Sequence, residues 1–175
     1  MPGLHEITVT APMWASDGQY YLHGNEFDPT GFTYTGFNGL LAPLTPGTGI
    51  STPGTFAVIL TGTETGPLTV TLELRATAPP PPALDLWDEI VEASLSLPAG
   101  DAFLIDAHDH TAFPSLAPYT GASCRIRVHA RGRDQAHDIG TTETPVEEHL
   151  IQIWPAPTTN IAEHKLTDHV GALSQ

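Results

Sequence analysis

Cys124-Arg125-Ile126-Arg127-Val128-His129-Ala130-Arg131-Gly132-Arg133-Asp134 carries a basic side chain at every second position. Successive side chains of a strand turn to opposite faces, so this spacing predicts a strand with one basic face and one apolar face. A 3.6-residue period would scatter the arginines around a helix axis. The chain has six Lys+Arg in all. Four of them, Arg125, Arg127, Arg131 and Arg133, stand here, so their face needs partners from elsewhere in the chain.

Outward from this segment, alternation recurs in short runs punctuated by glycine and proline. Glu6 to Thr10 reads as a strand stopped by Pro12, and Gln19 to His23 as a second. Gly31 to Phe37 suits a strand with glycine ends, and Leu40 to Leu44 is a short apolar segment. Thr55 to Thr61 is nearly all apolar, which suits a central strand. Leu68 to Ala76 alternates, with Leu68, Val70, Leu72 and Leu74 inward, and its expected partner is the strand before it. Ile90 to Leu97 and Ala102 to Ala107 read as a hairpin across Pro98-Ala99-Gly100-Asp101. Glu147 to Trp154 is the last expected strand. Asn160 then suits the cap of a short C-terminal helix whose apolar side is Ile161, Leu166, Val170 and Leu173.

Many short strands with frequent turns predict an all-β fold, a two-layer antiparallel β-sandwich with a short C-terminal helix. Residues 1–175 are expected to form a single domain with a C-terminal extension at 156–175. Pro79 to Pro82 hold the chain extended, so 78–83 is either a crossover between sheets or a linker.

The composition narrows the partners. Twenty Asp+Glu against six Lys+Arg give a formal net charge of −14. That field repels nucleic acid and anionic membranes and suits a basic protein. The single cysteine, Cys124, excludes an internal disulfide and fits a reducing compartment. The amino terminus lacks a basic start followed by an apolar run, and no apolar run approaches ~18 residues. A cytoplasmic location is expected, without membrane insertion.

Two clusters carry possible chemistry. Arg125, Arg127, His129, Arg131 and Arg133 could cradle a phosphate or carboxylate, or form an outer sheet face paired with acids such as Glu147, Glu89 or Glu92. Asp106, His108 and His110 would share a face if their strand continued, placing imidazole nitrogens where a metal could collect them. Against that stands a solvated loop. No Gly-x-Ser-x-Gly elbow and no phosphate-binding glycine loop occurs. Glu147 and Glu148 point to opposite faces of one strand and cannot form an acid–base couple. No enzyme activity and no cofactor is expected.

Seven segments carry a family likeness. They are Glu6-Ile7-Thr8-Val9-Thr10, Gly31-Phe32-Thr33, Phe56 to Glu64, Leu68 to Leu74 and Val91 to Asp101, followed by Tyr119 to Val128 and a final strand at Glu148-His149. Taken in order they resemble the bacterial competence protein J family, inhibitors of a DNA-entry nuclease. The tetraproline, the arginine stripe, the Ile151-Gln152-Ile153-Trp154-Pro155 ending and the terminal extension depart from that family. The second half is also similar to uncharacterised actinobacterial proteins of the Arg-Val-His-Ala-Arg-Gly-Arg-Asp type. The resemblance implies an all-β fold and a nuclease partner.

The expected function is therefore an acidic, non-catalytic binding protein, an inhibitor or immunity protein that neutralises a basic nuclease or toxin. Glu64, Asp85, Asp88 and Glu89 are the surface acids expected to make contact. The alternative is a small-anion or metal-binding module built on the arginine stripe and the Asp106–His110 loop. A third possibility is a homodimer joined through Trp- and Pro-rich edges.

Overall fold

The computed structural model describes residues 4–24, 39–45, 49–50, 53–108 and 110–173. The expected strand at Gly31 to Phe37 lies outside the described residues. Eleven strands follow in chain order: β1 (Ile7–Ser16), β2 (Gln19–Gly24), β3 (Leu41–Thr45), β4 (Gly49–Ile50), β5 (Phe56–Leu60) and β6 (Thr65–Leu74) make the first half. The second half holds β7 (Glu89–Leu95), β8 (Ala102–Ile105), β9 (Cys124–Arg131), β10 (Glu148–Pro155) and β11 (Ala162–Leu166). Two short helices, α1 (Arg133–Ile139) and α2 (His169–Leu173), complete the described chain together with a 3-10 turn at Ala117–Tyr119.

The expected all-β chain is mostly β, with α1 unforeseen, and the short C-terminal helix is present. The two antiparallel layers are not. All eleven strands join one curled sheet in the order β11-β7-β9-β10-β6-β1-β2-β5-β3-β4, with β8 beside β2. The sheet is mixed, because β10 runs parallel to β6. Curling lets one sheet enclose its own apolar face, so a second layer is not needed to bury it.

Strand partners differ from the expected hairpins for a nonlocal reason. β6 pairs with β1 over ten residues, from Ile7↔Leu74 to Ser16↔Thr65, a longer match than five-residue β5 offers. β5 instead lies between β2 and β3, central as expected. β7 pairs with β9 and β11, whereas β8 pairs with β2, so these two form no hairpin. The helix expected after Asn160 is replaced at first by β11, and helix appears only at α2.

The alternation of β9 is as the sequence predicts. Cys124, Ile126, Val128 and Ala130 enter the main core with Leu68, Val70, Leu72, Val91 and Ile151. The segment between β8 and β9 adds Phe113, Leu116 and Tyr119 to the same interior. A smaller cluster of Ala42, Leu44, Phe56, Val58 and Leu60 forms on the other face of β3 and β5. No helix among the described residues is long and apolar enough to cross a membrane.

Candidate functional site

The arginine stripe lies on the outer face of β9, where Arg125, Arg127 and His129 are covered and Arg131 stays exposed. Arg125 donates from Nε to Glu92 Oε1 (2.8 Å), from Nη1 to Ser94 Oγ (2.9 Å) and Thr159 O (3.1 Å), and from Nη2 to Asn160 O (3.0 Å). Arg127 donates from Nε to Glu92 Oε2 (2.9 Å) and from Nη1 to Pro80 O (2.9 Å), with its guanidinium over the Trp154 ring. The tetraproline and the chain after β10 thus supply carbonyls that cap the stripe. His129 lies 3.1 Å through Nδ1 from Leu150 O and packs on Trp87. Burial pushes the His129 imidazole down to about 4, so it is neutral at pH 7. Arg131 holds Glu148 at 2.6 Å and covers the other part of Trp87.

These contacts follow strand order. His164 on β11 reaches Glu92 on β7, Glu92 takes Arg127 on β9, and Arg127 meets Gln152 on β10. Gln152 then donates to Glu73 on β6, which also takes Arg75, itself 3.7 Å from Glu6. Burial works to raise the Glu92 carboxyl, but hydrogen bonds from Arg125 and Arg127 outweigh it and hold it below its ordinary value.

Arg133 leaves the stripe. Gly132 takes a left-handed conformation (φ 79°), after which the chain turns into α1 and carries Arg133 inward to full burial. Its Nη2 donates to Gly39 O, and its Nε stands 3.4 Å from Asp168 Oδ2, off hydrogen-bond geometry. Arg133 Nε and Nη1, Asp168 Oδ2 and Glu89 Oε2 are buried without hydrogen-bond partners among the described residues.

Beside it lies a second interior group. Glu147 Oε2 accepts from Thr63 N (2.9 Å), Thr63 Oγ1 (2.9 Å) and Gly62 N (3.1 Å), while Oε1 stands 2.7 Å from His149 Nε2. A carboxylate only accepts, so Nε2 carries the proton. In the neutral ring, Nδ1 then accepts from Tyr20 Oη at 2.7 Å. A Cβ at Gly62 would collide with the backbone carbonyl of Arg133, so only glycine lets this segment pack against the start of α1 while its N–H reaches Glu147. Burial pushes the Glu147 carboxyl up, but the hydrogen bonds from His149 and the Thr63 backbone work against this, and it lies below its ordinary value. Burial, then Glu147, raises the Tyr20 hydroxyl well above its own. Chemically the trio is an acid–base relay, yet all three side chains are closed to solvent.

The expected metal residues do not converge. Asp106 Oδ1 accepts the backbone N–H groups of His108 (2.8 Å) and His110 (2.9 Å), the local turn an aspartate makes with its own loop. His110 is 81% exposed with Nδ1 3.5 Å from Asp106 Oδ2, and the His108 and His110 rings stand 6.2 Å apart. Among the described residues no three His, Cys, Asp or Glu are placed to hold a metal.

Of the expected contact acids, Glu64, Asp85 and Asp88 are exposed. Glu89 is not. It is 1% exposed, because it falls in phase with Val91, Ala93 and Leu95 on the inward side of β7, where Oε1 accepts Asp168 N at 2.7 Å. Burial pushes the Glu89 carboxyl up to about 7.

Sequence reasoning missed what flanks Asp85. Leu84 and Leu86 are 49% and 56% exposed, on a loop held from behind. Lys165 Nζ donates to Leu84 O (2.8 Å) and Trp87 O (2.7 Å), Asp88 N donates to Ala130 O, and Gly132 N donates to Asp88 Oδ2. The Leu-Asp-Leu-Trp-Asp run gave the signal, an apolar repeat interrupted by acids.

No family model matches the chain, and no curated protein matches it. The expected kinship with the competence protein J family and with actinobacterial proteins is thereby overturned; its strand-and-turn segments are patterns that many β proteins share. The chain is similar to the solved structure of "Crocagin biosynthetic gene J", with a TM-score of 0.50 and 13% identity. That alignment covers 88% of this chain and 100% of the other. At this identity the likeness shows a shared fold alone.

Proposed function

We propose that the chain is an acidic, non-catalytic binding protein that engages a basic protein partner, of the kind a nuclease or toxin presents. One observation carries this reading. All six Lys+Arg side chains are engaged within the fold: Arg75 by Glu73, Arg125 and Arg127 by Glu92, Arg131 by Glu148, Arg133 beside Asp168, and Lys165 by backbone carbonyls. The exposed carboxylates Asp17, Glu64, Asp85, Asp138, Glu143 and Glu163 have no cation against them among the described residues. The uncompensated exterior charge is negative, which steers association with a basic surface and is weakened by salt.

The Leu84–Asp88 loop suits the contact itself. Two apolar side chains on a pre-ordered loop lose little freedom on binding, and Asp85 and Asp88 complement a basic rim. The closed position of Tyr20, His149 and Glu147 supports structural rather than catalytic work for them.

Affinity capture from the source cells, followed by titration of the captured protein, tests this. A basic protein that binds the Leu84→Ser/Leu86→Ser double variant at least tenfold more weakly is expected. Capture of acidic proteins alone would contradict the reading, and full-strength binding by the double variant would remove the loop from it.

A further inference from the structure

The sheet has a fork, and along one side of it runs a strand edge with which no described residue pairs. Thr69 N donates to Glu147 O and Arg75 N to Ile153 O, so odd-numbered residues of β6 direct their backbone groups toward β10. Their partners on β1, namely Thr8, Thr10, Pro12 and Trp14, therefore direct theirs to the opposite edge. This also explains why β1 runs through Pro12 instead of stopping there: the missing N–H faces away from β6 and costs the ladder nothing.

On that opposite edge β2 meets β1 only at Ser16↔Gln19. From Tyr21 onward the place beside β2 belongs to β8, beginning at Tyr21↔Ile105. No described residue pairs with the β1 edge from Thr8 to Trp14. Where β1 and β8 part, a cleft of about 290 Å³ opens between Pro12, Met13, Trp14 and Pro67 on one side and Asp106 and His110 on the other. Trp14 is 44% exposed there.

We infer that the β1 edge and the cleft at its end take an extended, cationic segment of another protein as an added strand. Main-chain bonds to Thr8, Thr10 and Trp14 would hold the segment, and the cleft would seat one apolar side chain against Trp14. Charge selects the occupant: Asp17 stands exposed at one end of the edge with no cation against it among the described residues, and Glu6, which shares Arg75, stands at the other, in a chain of net charge −14. A second copy of this chain fits poorly. It would bring a like charge of −14, and antiparallel self-pairing would set Pro12, which has no N–H, near the middle of the shared ladder. The inference rests on the acidic-partner reading only for the sign of the occupant's charge.

The test uses a fluorescein-labelled nonapeptide of alternating lysine and valine, its glutamate–valine counterpart, and the whole chain. Anisotropy should show binding of the lysine peptide, and amide exchange at Thr8, Thr10 and Trp14 should slow at least tenfold on binding. Thr10→Pro removes an edge donor and the Thr10–Thr71 hydroxyl bond but leaves the backbone ladder with β6, and should weaken binding at least tenfold; Trp14→Ala, a second variant, should weaken it as well. Absence of binding, or binding indifferent to both variants and without slowed exchange at those amides, overturns the strand-addition inference and leaves the acidic-partner reading standing. Equal binding of the glutamate peptide, with the same amides slowed, overturns the charge selection and that reading with it. Slowed exchange at the same amides on raising protein concentration alone assigns the edge to a second copy and overturns the inference.

Discussion

Tyr20 Oη lies 2.7 Å from His149 Nδ1, across 129 residues of sequence, and joins β2 to β10 through the interior of the curled sheet. Between them in sheet order stand β1 and β6, so this bond ties the two halves of the sheet across its concave side. Losing only the hydroxyl leaves the ring packed and one acceptor unpaired. Tyr20→Phe is expected to lower unfolding free energy by about 1–2 kcal/mol. Glu147→Ala, which strands His149 and the Gly62 and Thr63 donors, should cost roughly 3–5 kcal/mol. Urea unfolding followed by tryptophan fluorescence measures both; equal, negligible losses would show the trio to be loosely made.

Glu92 is held below its ordinary pKa by Arg125 and Arg127. A carboxyl with a depressed folded-state value stabilises above its unfolded value, near 4.5, and loses that contribution as pH falls through the folded value. Glu92→Gln is therefore expected to destabilise by roughly 2–4 kcal/mol at pH 7, where one carboxylate bridging two guanidiniums is lost. The gap between variant and parent should shrink as the medium is acidified below about pH 4.5. A gap constant with pH would mean that Glu92 is not the ionised bridge.

Glu89 has the opposite sign. Its folded value, about 7, lies above its unfolded value of 4.5. Between those values the folded chain binds the proton that the unfolded chain has released, so stability falls as pH rises from about 4.5 through about 7. Glu89→Gln keeps an acceptor for Asp168 N–H and cannot ionise. Its stability relative to the parent should rise from about pH 4.5 and level off above about pH 7, by on the order of 2 kcal/mol. Thermal unfolding at pH 5 and pH 8 reads this directly, and a difference between variant and parent that is the same at both would refute it.

Cys124 is buried at the start of β9, and burial pushes its thiol up to about 12. The folded chain should resist iodoacetamide at pH 8 while the unfolded chain reacts, because the thiolate is the nucleophile. Rapid native labelling would show that β9 opens locally at its junction with β10.

What the sequence revealed was local. A period of two survives in β9 and in β6 whatever their neighbours, so the apolar and basic faces of residues 124–131 were legible. Arg133 was not, because Gly132 permits a left-handed turn that breaks the phase and sends the next side chain inward. Partner choice was not legible either. The match of β1 with β6 spans some sixty residues and excludes the nearer β5, a competition that no local pattern records. Glu147 and His149 did leave a signal, for they stand in phase with Ile151 and Ile153, and polar residues at inward positions imply a buried network. Glu89 left the same signal beside Val91 and Ala93. Asp106 and His110 look like ligands in sequence, but an aspartate in a loop more readily caps its own backbone.

All six cations have partners within the chain, and the free exterior charge is negative. The association rate constant with the captured partner, measured by stopped flow from 50 to 300 mM NaCl, tests it most directly. A fall of at least tenfold across that range is expected, with dissociation little changed. A rate indifferent to salt would contradict it.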